Sequence, residues 1–454
     1  MTGIPLIIAF VVAIVAMIVA ISKYKIHPFL SIMAVSLILA LLAGLPLTGI
    51  ADVIGAGFSG TFSSIGIVII LGALIGSILE QTGAAFKLAD MVIKVVGKKN
   101  PELAIELMGW VVSIPVFCDS GFVILDPIRK ALVRRTGTSS VAMTVALSAG
   151  LYISHVFIPP TPGPIAAAST LGIGDNLLLV MGLGLVASIL PLVTGLLYAK
   201  YIGKKVKSED ELVADGEVVK TYEELVAEYG KLPGGLNALA PIIVPVVFMA
   251  LGSVASVFKD VLPVFIYDLL TFLGKPVIAL AVGTIFAIIQ LATAKKMKDF
   301  YNITNDTLKT VGPILFVTAA GGVLGKVISS SDMVSYITAK AGILEAIGIF
   351  FPFILAAILK SAQGSSTVAI TTTAGIMAPL MGAMGLDTPV LASLTVMAIG
   401  AGAMTVSHAN DSYFWVVTNF GKMKPEQGYK TQTMLTLVMG VSAMIGIFVL
   451  SLFF

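Results

Sequence analysis

The sequence predicts an all-α polytopic membrane protein of two inverted-topology repeats, each with a re-entrant hairpin and a broken transmembrane helix, about 10–12 spans in all. Composition, the spacing of apolar runs and the distribution of basic residues between them carry this prediction. Of 454 residues, 57% are hydrophobic and 12% charged, against roughly 25% charged in an ordinary soluble domain. A surface made from such residues faces hydrocarbon. Apolar runs recur at 4–22, 29–48, 62–79 and 277–293, each about long enough to cross a ~30 Å core. The alternating pattern of barrel strands is absent, so the spans are expected to be helices, which satisfy their own backbone hydrogen bonds.

The first run lacks a basic leader and a small-residue cleavage site and leads straight into a second run, which reads as a transmembrane helix rather than a signal peptide. Basic residues then set the topology. Lys23 and Lys25 place the first loop in the cytoplasm, as do Lys87, Lys94, Lys98 and Lys99, then Arg129, Lys130, Arg134 and Arg135, and later Lys295, Lys296 and Lys298. Both termini are therefore expected to be periplasmic. The apolar stretch between Pro101 and Pro127 has basic loops on both sides. It is too short for two crossings, which need roughly 40 residues, and one crossing would separate the two basic loops. It reads as a hairpin over 101–128 entering from the cytoplasm, with Phe117-Cys118-Asp119-Ser120-Gly121 at its tip.

The next span, 138–175, meets Ile158-Pro159-Pro160-Thr161-Pro162-Gly163-Pro164, where four prolines and a glycine forbid continuous helix. An N-terminal membrane repeat thus occupies 1–200. The longest polar stretch, 201–237, reads as a solvated cytoplasmic linker, and 238–454 repeats the plan. Gly72-Ala73-Leu74-Ile75-Gly76 is echoed by Gly321-Gly322-Val323-Leu324-Gly325. A second hairpin is expected over 343–380, interrupted at Lys360-Ser361-Ala362-Gln363-Gly364-Ser365-Ser366-Thr367, and a second broken helix over 388–421, interrupted at Ser407-His408-Ala409-Asn410-Asp411-Ser412. The run at 311–329 threads outward while its counterpart at 62–79 threads inward, so the second hairpin enters from outside. Interrupted segments at matching places in two inverted halves mark a transporter's binding site.

Most membrane-depth polar residues lie in these four interruptions. Asp119 stands beside Ser120 and Gly121, and a carboxylate at that depth is costly enough to suggest function, although it would also cap the helix that follows. Gly364, Ser365, Ser366 and Thr367 offer hydroxyls, backbone N–H groups and a new helix start, a setting that favours anions; ordinary Ser/Thr capping gives the same residues. Thr161 and Gly163 would line the cavity or serve a purely architectural break, and Asn410 in the second break joins Ser120 and Gly121 as a candidate substrate contact. His155, His408 and Asp411 join Asp119 as candidate proton carriers, or else bond backbone freed at the breaks. Lys360 would pair with a substrate carboxylate, with a protein acid, or snorkel. Asp126, Glu80 and Asp332 fall toward span ends, where solvation is expected. The glycines 72, 76, 321, 322 and 325 read as close helix packing.

The segments Phe117-Cys118-Asp119-Ser120-Gly121-Phe122, Ser154-His155 through Pro164, Gln363-Gly364-Ser365-Ser366-Thr367 and Ser407-His408-Ala409-Asn410-Asp411-Ser412 resemble the gluconate:proton symporter family of bacterial inner membranes, within the broader ion-transporter superfamily. The likeness covers essentially the whole chain. It implies an inner-membrane protein that takes up gluconate or a related sugar acid with a proton, some relatives carrying D-serine or other hydroxylated carboxylates. It also implies paired hairpins on a moving, elevator-type transport domain, with Asp119 to Gly121 and Gly364 to Thr367 around the substrate.

The expected partners are a small organic acid, a proton and the lipid bilayer, with a second copy of the chain as a further candidate. The net charge of +3 gives no reason to invoke nucleic acid. One cysteine, Cys118, excludes an intrachain disulfide framework, and no metal-site spacing or cofactor motif occurs. An enzyme is not expected, since no nucleophile elbow accompanies Ser120 and His155. A passive channel would not need embedded titratable groups, whereas sodium remains an alternative to the proton because hairpin carbonyls and hydroxyls can ligate it.

Overall fold

A computed structural model describes residues 2–96, 100–209, 232–259, 261–333, 336 and 347–454. Every regular element among the described residues is helical. Among the described residues eight helices are long and apolar enough to cross a membrane, and shorter apolar helices accompany them. The peripheral helix α1 (Ile4–Ser22) turns Ile8, Val12 and Val15 outward and packs beside α2 (Pro28–Leu42), so its exposed aliphatic face meets lipid.

Helix α3 (Leu47–Gln81) has 35 residues and, at about 1.5 Å rise each, is roughly 52 Å long. The expected span at 62–79 is only its second half. The stretch before it is rich in Gly, Ser and Thr and weakly apolar, yet these small residues are what lets the helix lie against a partner closely. The first hairpin follows α4 (Ala84–Val96) and consists of α5 (Pro101–Val112) and α6 (Cys118–Thr136). The second arm outruns the expected end of the hairpin and stops where Gly137 adopts φ 67°. Part of the basic cluster expected in a loop therefore lies on helix. Arg129 is fully buried, pairs with Asp126 at 2.7 Å and bonds the Ser140 hydroxyl at 2.7 Å. Asp126, expected to be solvated, is 2% exposed: the buried guanidinium and Lys130 at 3.0 Å take the place of water.

The first broken span is α7 (Ser140–Phe157) and α8 (Pro162–Thr170), followed by α9 (Leu177–Ile202). Every residue of α7 is buried, as expected of a helix that is apolar all round. Beyond α9, residues 203–209 pack onto the loop after the second broken span, where Glu209 N–H donates to Lys422 O at 3.1 Å and Gln427 Nε2 to Lys207 O at 2.7 Å. Residues 210–231, most of the expected linker, fall outside the described residues. The chain resumes as α10 (Gly235–Val257), α11 (Val264–Gly274), α12 (Pro276–Thr293) and α13 (Phe300–Ser329). The second hairpin is α14 (Phe350–Gln363) and α15 (Ser366–Met377); part of its expected first arm, 343–346, lies outside the described residues. The second broken span is α16 (Pro389–Met404) and α17 (Ser412–Phe420), and a short π-helical stretch, Tyr429–Thr433, leads into α18 (Met434–Ser451).

Three pairs of helices meet antiparallel. Thr307 of α13 bonds Ser77 of α3 at 2.8 Å, whereas Gly322 faces Gly57 and Thr61 at the other end. Gly400 of α16 abuts Val156 of α7 while Tyr152 donates to Ala403 O. Thr194 of α9 bonds Ser442 of α18 at 2.7 Å, with Tyr198 near Lys430 and Leu190 near Gly446. The two broken spans occupy the centre, and the hairpins pack on them: α5 on α7, α14 on α16, α15 on α8 and α6 on α17.

Candidate functional site

The four interruptions converge. The second hairpin turns at Gly364, whose φ of 90° suits glycine and whose missing Cβ leaves room for the Asn410 carbonyl. That approach sets Lys360, one turn earlier, against the second break. Its ammonium is fully buried, lies 2.5 Å from Asp411 Oδ2, bonds Gly364 O and sits 5.8 Å from the centroid of the Tyr152 ring. Asp411 is held further by the Ser407 hydroxyl at 2.5 Å and, as the N-cap of α17, by Tyr413 N–H at 3.1 Å. Of the three roles open to Lys360, the structure realises pairing with a protein acid. His408 and Asn410 do not point at open space: His408 Nε2 lies 3.0 Å and Asn410 Nδ2 2.8 Å from Ser361 O, so both tie the second break to the second hairpin. Asn410 Oδ1 has no partner.

The same hairpin tip reaches the first break. Thr367 Oγ1 lies 3.5 Å from His155 Nε2, both residues are buried, and His155 Nδ1 has no partner. The His155 ring stacks on Tyr152 and tilts against Phe117. Ser365 caps α15 by accepting from Val368 N–H at 3.3 Å, and Ser366 is buried next to it. The first hairpin tip closes the ring: Asp119, in the first turn of α6, accepts from Ser412 of α17 at 3.3 Å, with Cys118 Sγ 3.7 Å from its other oxygen. Ser120 lines a cleft of about 340 Å³ that also touches Gly76, Glu80, Asp299 and Asp306. Three further candidates have protein neighbours. Thr161 donates to Ile158 O at 2.7 Å inside its own break, Gly121 faces Leu151, and Gly163 faces Ile370 of α15.

Tyr152 and Tyr413 were not foreseen. Their rings lie 5.0 Å apart between the breaks, with Tyr413 OH donating to Ser148 O at 3.2 Å, and no spacing marks either one out. For Lys360 a signal exists: a lysine four residues before a helix-ending glycine is placed to bond the last carbonyls. Chemically, the starts of α6, α8, α15 and α17 all lie at the four interruptions, so unpaired N–H groups and partial positive charge gather there. Lys360 and Asp411 neutralise each other, which leaves Asp119 as the carboxylate with a single hydroxyl donor from another element. Among the described residues no group of His, Cys, Asp and Glu could hold a metal ion.

Known proteins resemble this chain along its whole length. The family model described as GntP family permease matches residues 4–453. A gluconate permease of Zymomonas mobilis is 30% identical, covering 95% of this chain and 95% of its own length. A low-affinity gluconate transporter of Escherichia coli is also 30% identical, over 98% of each chain, and an uncharacterized permease of Haemophilus influenzae is 35% identical over 92% of this chain and 86% of its own. Among solved structures, the YdaH transporter of Alcanivorax borkumensis superposes with a TM-score of 0.65 at 16% identity, covering 94% of this chain and 97% of that one. The MtrF protein of Neisseria gonorrhoeae gives 0.62 at 16% identity, covering 95% of this chain and 96% of that one. At that identity the likeness is one of fold. The chain is a multi-pass membrane transporter, not an enzyme, and it belongs to the GntP permease family.

Proposed function

We propose that the protein takes up gluconate or a closely related sugar acid with a proton across the bacterial inner membrane. One observation carries the reading: two hairpin tips and two helix breaks join through His155–Thr367, Asp119–Ser412 and Lys360–Asp411, where helix starts can hold a carboxylate with no free cation. The gluconate transporters at 30% identity support the substrate class. Ser120, Ser365, Ser366 and Thr367 are the groups placed to meet the acid's hydroxyls and carboxylate. Asp119 and His155 keep capacity to exchange a proton, since one has a single hydroxyl donor from another element and the other an unpartnered Nδ1. Asp411 and His408 serve to hold the second hairpin against its break.

In this reading the halves are inverted repeats over 1–200 and 238–454, a relation supported by the antiparallel meeting of α3 with α13, α7 with α16 and α9 with α18. The hairpins and breaks move as one body in an elevator-type cycle. By the basic-loop rule both termini are periplasmic and the cleft at Ser120 opens to the cytoplasm, so the conformation is inward-facing. Purified protein in proteoliposomes is expected to concentrate labelled gluconate when an inward-directed pH gradient is imposed. Uptake that ignores a protonophore would remove the proton coupling, and uptake that never exceeds equilibrium would make the protein a passive facilitator. Counterflow against D-serine separates the sugar acids from the other small hydroxylated carboxylates.

A further inference from the structure

Outside this ring of residues one acid stands apart. Glu106, in the middle of α5, is fully buried, and neither of its carboxyl oxygens has a hydrogen-bond partner. It lies where the first hairpin packs on the centre: Gly150 of α7 abuts its backbone carbonyl, and a Cβ on Gly195 of α9 would come within 3.0 Å of Glu106 Oε1 and 3.3 Å of Met439 Sδ on α18. Two more buried polar groups along this seam lack partners, Trp110 Nε1 one turn along α5 and Gln432 Nε2 in the π-helical stretch before α18. Gln432 spends its oxygen on the Ser148 hydroxyl at 2.7 Å, beside Ala149, which touches Gly195. An ionised carboxylate cannot rest unpaired in such surroundings, whereas a protonated one can.

Among the described residues no charged group on a neighbouring element bonds it. On α4, Lys87 and Asp90 pair with each other at 3.0 Å, and on α6 Arg129 pairs with Asp126. His155, at the far end of α7, faces Thr367, while Lys200, five positions after Gly195 on α9, forms no hydrogen bond or ion pair with Glu106. We propose that Glu106 holds the coupling proton in the conformation described, at a site between the arm of the first hairpin and α9. The proposal rests on the proton-coupled reading above. Losing that proton would leave a bare charge at the seam, so proton release requires the hairpin arm to shift against α9, and this ties proton movement to the element that carries Asp119 and Ser120.

The test is Glu106→Gln, which keeps shape and neutrality but cannot release a proton. In proteoliposomes loaded with a pH-sensitive dye, E106Q is expected to retain gluconate counterflow while gluconate-driven proton entry falls to the level of empty liposomes. The infrared spectrum of wild type minus E106Q at neutral pH should contain a protonated-carboxyl C=O stretch. Proton entry equal to wild type overturns the proposal, as does the absence of that band. Loss of cooperative melting or of gluconate binding in E106Q also overturns it, because an amide would be missed only where an ionised carboxylate had been. If wild type itself moves no protons with gluconate, the proton-coupled reading falls and this inference with it; coupling in both proteins removes the inference alone.

Discussion

At the residue scale the site is governed by how buried charges are compensated. Lys360 and Asp411 are 51 positions apart and both lie in the interior, so each is tolerable only because the other is there. Lys360→Ala leaves Asp411 without its counter-charge and is expected to lower folding stability by about 3–5 kcal/mol, read as a fall in melting temperature of detergent-solubilised protein. Lys360→Met with Asp411→Asn removes both charges and should recover most of that loss, whereas a double variant as unstable as the single one would show that Asp411 is not what Lys360 neutralises. The sequence held Asp119, His155, His408 and Asp411 together as equivalent candidates for the proton. Their surroundings differ: Asp411 is held by Lys360, Ser407 and the Tyr413 N–H, whereas each histidine has a contact at Nε2 and Asp119 has one hydroxyl donor from another element. The sequence could not show this because hydrogen-bond saturation depends on neighbours supplied from other elements.

At the scale of elements, hairpins and breaks were legible because their signals are local. Proline runs, a glycine with positive φ and Ser/Thr caps act within a few residues, and the observed interruptions at 158–161, 364–365 and 405–411 fall where the motifs placed them. The length of α3 was not legible. Its first half looks too polar to span, and it is helical because α13 lies against it so closely that Gly322 meets Gly57 O and Thr61. Gly322→Leu would wedge these helices apart; overpacking of this kind typically costs about 1–3 kcal/mol. Lower thermal stability together with loss of gluconate uptake is expected, and unchanged melting would show that the crossing is looser than the geometry implies. Arg129 illustrates the reverse error. Reading a basic residue near a span end as part of a loop is a sound rule for exposed chains, but here the side chain reaches Ser140 and Phe420 O and clamps α6 to the end of α17.

At the scale of the whole molecule, access decides function. The cleft at Ser120 is bounded by the end of α3 and the start of α13, with Glu80, Asp299 and Asp306 around it, while a second cleft of about 420 Å³ at the opposite ends of the same helices is lined by Lys326, Ser329, Thr61 and several glycines. The two clefts thus differ in charge, one lined by three acids and the other by a single lysine. Because Cys118 is the only cysteine and is buried, accessibility can be mapped one position at a time. Ser120→Cys combined with Cys118→Ser should react with a membrane-impermeant thiol reagent in inside-out vesicles and be protected by gluconate. Reaction from the periplasmic side alone would invert the assigned topology.

By itself the sequence determined the membrane class, the helical composition, the plan of hairpins and broken spans, and the family resemblance, since hydropathy, basic loops and helix-breaking residues act along the chain at short range. Only the tertiary structure decided that Lys360 neutralises Asp411, that His155 meets Thr367 across 212 positions, and that Glu106 lies buried without a partner. Burial and pairing are set by whatever the fold brings alongside, and in a low-dielectric interior that neighbour fixes whether an acid is an ion, a cap or the bearer of a proton.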